Sequence, residues 1–146
     1  MKRIILLIAV VGLFVSCSNS AKQESKAVVP DSLLSARASC FSGKLPREDG
    51  AFVMEKCAYD GKTVNITLRL REGCEEFLNP ESLKWLPAME LNEIHTLDTL
   101  MIKRLVELDQ HLAYSVYTSK GDSLIKRFVF TTNQLKGRAE SYGLLK

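Results

Sequence analysis

The sequence predicts an α+β domain in which two antiparallel β-hairpins form a small sheet that is packed on one face by helices. Three observations predict this class. Residues 63–70 alternate strictly between polar and apolar side chains, which is the period of a strand with one buried face. The middle of the chain carries helix start signals and helically spaced apolar residues. A second alternating segment follows, which gives the order helix, hairpin, helices, hairpin, short helix.

The first helix and the first hairpin are predicted from capping and turn residues. Asp31 is a suitable N-cap for a helix that ends by Gly43, and the polar residues 47–50 predict a turn. Asp60-Gly61 is the favoured two-residue type I′ turn, so residues 51–59 should pair with the alternating strand that follows it.

The register that this turn implies raises one conflict. It places Cys57 opposite Val64 on the core side, which suits a small apolar side chain. It also places Glu55 opposite Ile66 on that side, where a charged group would be costly to bury.

The remaining elements are predicted from a capped proline and from periodicity. Asn79-Pro80-Glu81 is a helix start with Asn79 as the cap, and Pro87 is predicted to stop that helix early. Residues 111–118 and 124–132 predict the second hairpin, and a short helix from 132 to 142 ends the chain. Apolar residues at helical spacing predict another helix between the hairpins, and they are Ile94, Leu97, Met101, Leu105 and Leu108.

The N-terminus has the pattern of an export signal. Lys2 and Arg3 precede the uncharged residues 4–15, which are too few to span a hydrocarbon layer of about 30 Å as a helix. Ser16 supplies the small residue at which cleavage would fall. Met1 to Ser16 are therefore predicted to be a signal peptide.

The residue after this cleavage point is Cys17. The segment Leu13-Phe14-Val15-Ser16-Cys17 resembles a lipobox, the motif of bacterial lipoprotein signal peptides. The resemblance implies that Cys17 is acylated and anchors the mature protein to a membrane. An ordinary signal peptide cut at Ser18 and a single transmembrane anchor are the alternatives. Residues 17–30 would then be a lipidated, flexible tether and residues 31–146 a single small domain.

Composition and charge exclude one class of partner. The chain is 46% hydrophobic and 25% charged, which is typical of a globular domain. Its formal net charge of +3 falls to +1 once Lys2 and Arg3 leave with the signal peptide. Since no cluster of basic residues is present, a nucleic-acid partner is not indicated.

Short motifs of the mature part are similar to those of a group of small exported bacterial proteins of uncharacterised function. Lys44-Leu45-Pro46 precedes one predicted strand, Tyr59-Asp60-Gly61 separates two strands, and residues 131–135, Thr-Thr-Asn-Gln-Leu, follow the last hairpin. This resemblance implies export and a small α+β domain, and it carries over no catalytic residue.

Three cysteines remain if Cys17 is lipidated. Cys40, Cys57 and Cys74 would lie in an oxidising compartment, and an odd number allows one internal disulfide. Cys57 and Cys74 are not cross-strand partners in the predicted register, so elimination leaves a Cys40–Cys74 bridge. The alternative is that all three are small buried thiols.

No residue pattern predicts an enzyme. His95 and His111 are not accompanied by a nucleophile elbow, and Glu55 has no second carboxylate placed to work with it, so a hydrolase is the least supported class. Metal-ligand spacings such as Cys-x-x-Cys and phosphate-binding loops are missing from the sequence, so no metal or cofactor is predicted.

One apolar segment, residues 77–89, contains Trp85, the only tryptophan. It could recognise a partner, or Trp85, Leu86 and Met89 could cover the sheet; the second interpretation is favoured because most tryptophans are largely buried. The sequence therefore predicts a non-catalytic, membrane-anchored envelope lipoprotein that binds an envelope protein or glycan, without naming a binding residue. An inhibitor of a secreted enzyme, or an immunity-type lipoprotein, is the alternative.

Overall fold

A computed structural model describes residues 29–145. The predicted signal peptide, Cys17 and most of the tether lie outside these residues, and what was predicted for them stays a prediction. The described part contains four α-helices, five strands and two 3-10 helices. In chain order they are α1 (Ser32–Ser42), β1 (Arg47–Asp49), β2 (Phe52–Tyr59), β3 (Thr63–Leu70), a 3-10 helix (Glu75–Leu78), α2 (Pro80–Asn92), a 3-10 helix (Glu93–Thr96), α3 (Thr99–Glu107), β4 (His111–Tyr117), β5 (Leu124–Phe130) and α4 (Thr132–Ser141).

The strands form one sheet in the order β1-β2-β3-β4-β5. All neighbours are antiparallel except β3 and β4, which run parallel, with Thr63 beside His111 and Arg69 beside Tyr117. The predicted α+β class and its two hairpins are confirmed, and the order of the elements roughly matches the prediction. The parallel pair joins the two hairpins into a single mixed sheet.

The core lies between one face of the sheet and the helices. β3 alternates as predicted, because its polar residues are partly exposed and its apolar residues are at most 2% exposed. Burial of such side chains contributes about 25 cal/mol per Å² of apolar surface. The buried residues of the central strands and the helices that meet in this core include Val64, Ile66, Leu68, Leu112, Tyr114, Leu34, Met101, Leu105 and Leu135.

A short edge strand replaces the predicted polar turn at residues 47–50. Arg47–Asp49 pairs with β2, and Gly50 turns the chain with a φ of 57°, which glycine adopts without steric cost. Three polar residues are too few to show a period in the sequence, so the prediction of a turn without a strand was wrong.

The tip of the β2–β3 hairpin lies one residue beyond its predicted place. Asp60 pairs with Thr63 through a 3.1 Å hydrogen bond from its backbone N–H, so Gly61 and Lys62 form the tip. The carboxylate of Asp60 accepts the N–H groups of Lys62 and Thr63 at 3.0 and 2.8 Å. Pairings between the tip and Lys56 are thereby shifted by two residues, and Cys57 lies opposite Ile66 on the buried face.

A β-bulge resolves the conflict at Glu55. Met54 pairs with Leu68 and Lys56 pairs with Thr67, which leaves Glu55 as the extra residue. Its carboxylate accepts a 2.7 Å hydrogen bond from Arg69 on the polar face of the sheet. The expectation that Glu55 lies on the core side was wrong, because a bulge reverses the side-chain alternation along β2.

The helix α2 begins as predicted and continues past its proline. Asn79 caps it by accepting the Ser82 N–H at 2.9 Å. Pro87 was predicted to stop the helix but lies inside it. A proline deprives the carbonyl four residues earlier of its donor, and here the ammonium group of Lys126 on β5 donates to the Leu83 carbonyl. The sheet thus satisfies the acceptor that Pro87 leaves free.

The other helix starts agree with their capping residues. Asp31 caps α1 and accepts the Leu34 N–H at 2.9 Å, and Thr131 caps α4, as the predicted terminal helix requires. Asp98 caps α3. This cap places Ile94 in the preceding 3-10 helix, so the predicted apolar stripe spans two elements instead of one.

Candidate functional site

Two neighbouring faces of the continuous helix α2 differ in their exposure to solvent. Leu86 is buried, and Glu90 follows it one turn later on the same side. Trp85 and Met89, also one turn apart, are each 55% exposed. The favoured expectation that Trp85 covers the sheet was therefore wrong for Trp85 and Met89 and right for Leu86.

A groove of about 470 Å³ lies beside the exposed stripe. One side consists of α2, and the other consists of the turn from β1 into β2, residues 49–52. Phe77 of the first 3-10 helix, which is 40% exposed, also lines it. Its volume falls within the range of about 300–1,000 Å³ that is usual for ligand pockets.

Glu90 lines this groove and is only 6% exposed. Burial raises the pKa of its carboxyl to about 8, and the nearby charges of Asp49 and Glu93 act in the same direction, while Arg47 opposes them. No hydrogen bond from the described residues contributes to its pKa. Glu90 is therefore mostly protonated at neutral pH in the free protein.

The charges that line the groove have one sign. Asp49, Glu90 and Glu93 are among its lining residues, and no lysine or arginine of the described chain is. The Lys84 ammonium lies 5.6 Å from the centre of the Trp85 ring. Arg47 donates to the backbone and side chain of Thr96 at 3.5 and 3.3 Å. The groove is thus apolar with an acidic side.

Sequence reasoning missed Glu90 because of the proline before it. Once Pro87 is taken as the end of the helix, Glu90 falls in a loop and its side of α2 is undefined. The available signal was the spacing of Leu86 and Glu90, which share a face in any helix that continues.

The three cysteines are free thiols in the structure. Cys40 is exposed on α1, Cys74 is partly buried after β3, and Cys57 is buried in the core. Burial raises the pKa of Cys57 to about 12, which makes it an inert thiol. The Cys40–Cys74 bridge stays a prediction.

Both histidines lie outside the groove. The Nδ1 atom of His95 lies 3.0 Å from the Asn92 carbonyl, and its ring packs against Tyr142 with centroids 4.7 Å apart. The Nδ1 atom of His111 is buried at the start of β4 without a partner in the described chain. Within residues 29–145, no group of three acidic, histidine or cysteine side chains is arranged to hold a metal ion. No helix in that range is both long and apolar enough to cross a bilayer.

No protein-family model and no curated protein sequence matches the chain. Solved structures match it in fold. The type II secretion system pilotin EpsS of Vibrio vulnificus superposes with a TM-score of 0.56 at 16% identity, over 70% of this chain and 88% of that one. The type II secretion system pilotin AspS of Vibrio cholerae gives a TM-score of 0.53 at 16% identity, over 70% and 88%. A Pseudomonas aeruginosa protein gives 0.54 at 18% identity, over 70% and 89%. The chain shares their fold.

At such low identity the likeness establishes the fold alone.

Proposed function

We propose that the protein is a non-catalytic lipoprotein of the bacterial cell envelope that binds an apolar segment of an envelope protein in the α2 groove. In this proposal residues 1–16 are the signal peptide, and Cys17 carries the acyl anchor. Residues 17–30 are the tether, and residues 31–146 are the binding domain. The partner belongs to a protein-secretion apparatus, as the pilotin fold suggests.

The exposed apolar stripe of α2 carries the proposal. Trp85, Met89 and Phe77 expose large apolar side chains around one groove, and clustered exposure of this kind marks interaction sites on soluble domains. Trp85 is not part of the hydrophobic core, so core packing does not explain its position. Its indole Nε1 makes a long hydrogen bond of 3.4 Å to Glu81, which holds the ring beside the groove.

The anchoring part of the proposal rests on the lipobox-type segment. Several acyl chains on Cys17 would supply durable membrane attachment, since each buried CH₂ contributes about 0.8 kcal/mol. Tethering the groove near a bilayer would raise its effective concentration toward membrane-associated partners.

Site-specific photo-crosslinking in the native bacterium tests this function. A photoreactive phenylalanine analogue replaces Phe77 in the full chain, and the matched control carries it at Leu100, which is 46% exposed on α3 and does not line the groove. We expect an adduct with one envelope protein from position 77 and none from position 100. Trp85→Ala should remove the adduct, and Leu100→Ala should leave it unchanged.

Three results decide between the proposal and its alternatives. Equal adducts from both positions, or an adduct that persists with Trp85→Ala, would refute the groove as the binding site. An adduct with a secreted enzyme whose activity falls on binding would favour the inhibitor class instead. An adduct with a component of a secretion apparatus supports the proposal.

A further inference from the structure

Glu90 is a largely buried carboxyl, and its pKa shows no hydrogen bond from any described residue. It lines the groove at 6% exposure, and no donor among the described residues contributes a hydrogen bond to its pKa. Burying such a group is costly unless it is paired. A leucine or methionine would suit the inner side of α2 better, so the stability of the domain does not explain this residue.

The described residues around Glu90 act on it with more negative than positive charge, two carboxylates against one guanidinium. Asp49 comes from β1 and Glu93 from the second 3-10 helix, and both line the groove with it. Arg47 of β1 is the one cation of residues 29–145 that acts on its pKa, and it hydrogen-bonds to Thr96. Tyr114 of β4 is a neutral phenol, since burial raises its pKa well above the ordinary value and the charge of Glu90 acts in the same direction. An incoming positive charge would therefore be attracted here.

We propose that the groove selects a partner segment in which a lysine or arginine stands among apolar residues, with the cation paired to Glu90 and the apolar side chains against Trp85, Met89 and Phe77. This inference rests on the proposed function and specifies the chemistry of its partner. The proposal accounts for both the acidic lining and the missing hydrogen-bond donor to Glu90, because the basic residue of the partner supplies the positive charge and the hydrogen bonds.

Recognition of this kind depends on pH. The free protein holds Glu90 mostly protonated at neutral pH, because its pKa is about 8. A basic segment binds the ionised form, so its apparent association constant is proportional to the fraction of protein in which Glu90 is ionised. Between pH 8 and pH 6 that fraction falls by more than about tenfold, and the affinity for a basic segment should fall with it.

A random-peptide display library tests the selection and works before the partner is identified. The bait is the full chain in phosphatidylcholine nanodiscs, empty nanodiscs remove lipid binders, and Trp85→Ala removes peptides that bind elsewhere. Each peptide that needs Trp85 is synthesised again with norleucine in place of its basic residue. Its affinity is then measured against the wild type and Glu90→Gln at pH 6 and pH 8.

The inference requires peptides that combine one basic residue with apolar neighbours. Norleucine should weaken their binding to the wild type at least tenfold and their binding to Glu90→Gln by less than threefold. The gain in affinity from pH 6 to pH 8 should be lost in Glu90→Gln. Circular dichroism of both variants confirms that they are folded.

Other results would overturn the inference in distinguishable ways. Peptides that need Trp85 but show no preference for a basic residue would refute it and leave the proposed function standing. A basic preference that survives Glu90→Gln would assign the cation to another carboxylate and refute the role of Glu90. A library that yields no peptide dependent on Trp85 would refute both this inference and the binding groove.

Discussion

Replacing Glu90 by glutamine should stabilise the domain in a pH-dependent way. The carboxyl ionises near its ordinary pKa of 4.5 in the unfolded chain and at about 8 in the folded protein. Between these values the unfolded state binds fewer protons, so the free energy of unfolding falls as pH rises. Glutamine has nearly the same shape and carries no titratable proton, so the free energy of unfolding of the variant does not fall with pH for this reason.

The magnitude follows from the shift in pKa. At 1.36 kcal/mol for each unit, the change from 4.5 to about 8 corresponds to a loss of up to about 5 kcal/mol by pH 9. A small outward movement of α2 would rehydrate the charge and reduce this loss. The full loss is a large part of the stability of a small domain, which is usually about 5–15 kcal/mol.

Urea denaturation of wild type and variant at pH 5, 7 and 9 measures this difference. Glu90→Gln should match the wild type within about 1 kcal/mol at pH 5 and exceed it by several kcal/mol at pH 9. Glu93→Gln is the matched control, because Glu93 is exposed one turn away and its removal should change little. A wild-type protein that keeps or gains stability from pH 5 to pH 9 relative to Glu90→Gln would refute the burial of an unpaired carboxyl.

Three further predictions concern the core, the exposed stripe and the anchor. Leu68→Ala, at 0% exposure, should cost about 2–5 kcal/mol in denaturant melts, and Thr67→Ala on the other face should cost less than half as much; equal losses would mean that both faces of β3 are buried. Trp85→Ala should change the melting temperature by only a few degrees, because a mostly exposed ring leaves no large cavity; a loss of about 3–5 kcal/mol would place the ring in the core. Cys17→Ser should abolish labelling by a fatty acid, and a wild-type protein that takes up no label would exclude the lipoprotein assignment.

Local sequence features predicted much of the fold. The strict alternation of residues 63–70 identified β3 and its buried face, because one face of the sheet is buried and the other is partly exposed to solvent. The caps Asp31 and Asn79 identified the starts of α1 and α2, because their side chains satisfy N–H groups that a helix start leaves free. These signals lie within a few residues of the structure that they predict.

Local sequence features did not predict the parts of the structure that depend on contacts between residues far apart in the chain. Pro87 can remain inside α2 because Lys126 on β5 donates to the Leu83 carbonyl, and that contact joins positions far apart in the chain. The bulge at Glu55 likewise depends on how β2 fits β3 and on Arg69 as a partner. The candidate site could not be predicted for the same reason, since the groove forms only where α2 lies beside the β1–β2 turn.

The parallel pairing of β3 with β4 has a consequence for the order in which the chain can assemble. Each hairpin closes over a short loop, on a time scale of microseconds, whereas the two central strands meet only after both intervening helices have been made. During synthesis the N-terminal part of the chain appears first. One edge of β3 therefore keeps its backbone N–H and C=O groups unpaired until β4, residues His111–Tyr117, has been made and pairs with it. Unpaired strand edges are templates for other extended chains. A protein truncated before His111 should accordingly aggregate through the strand that forms the centre of the intact sheet.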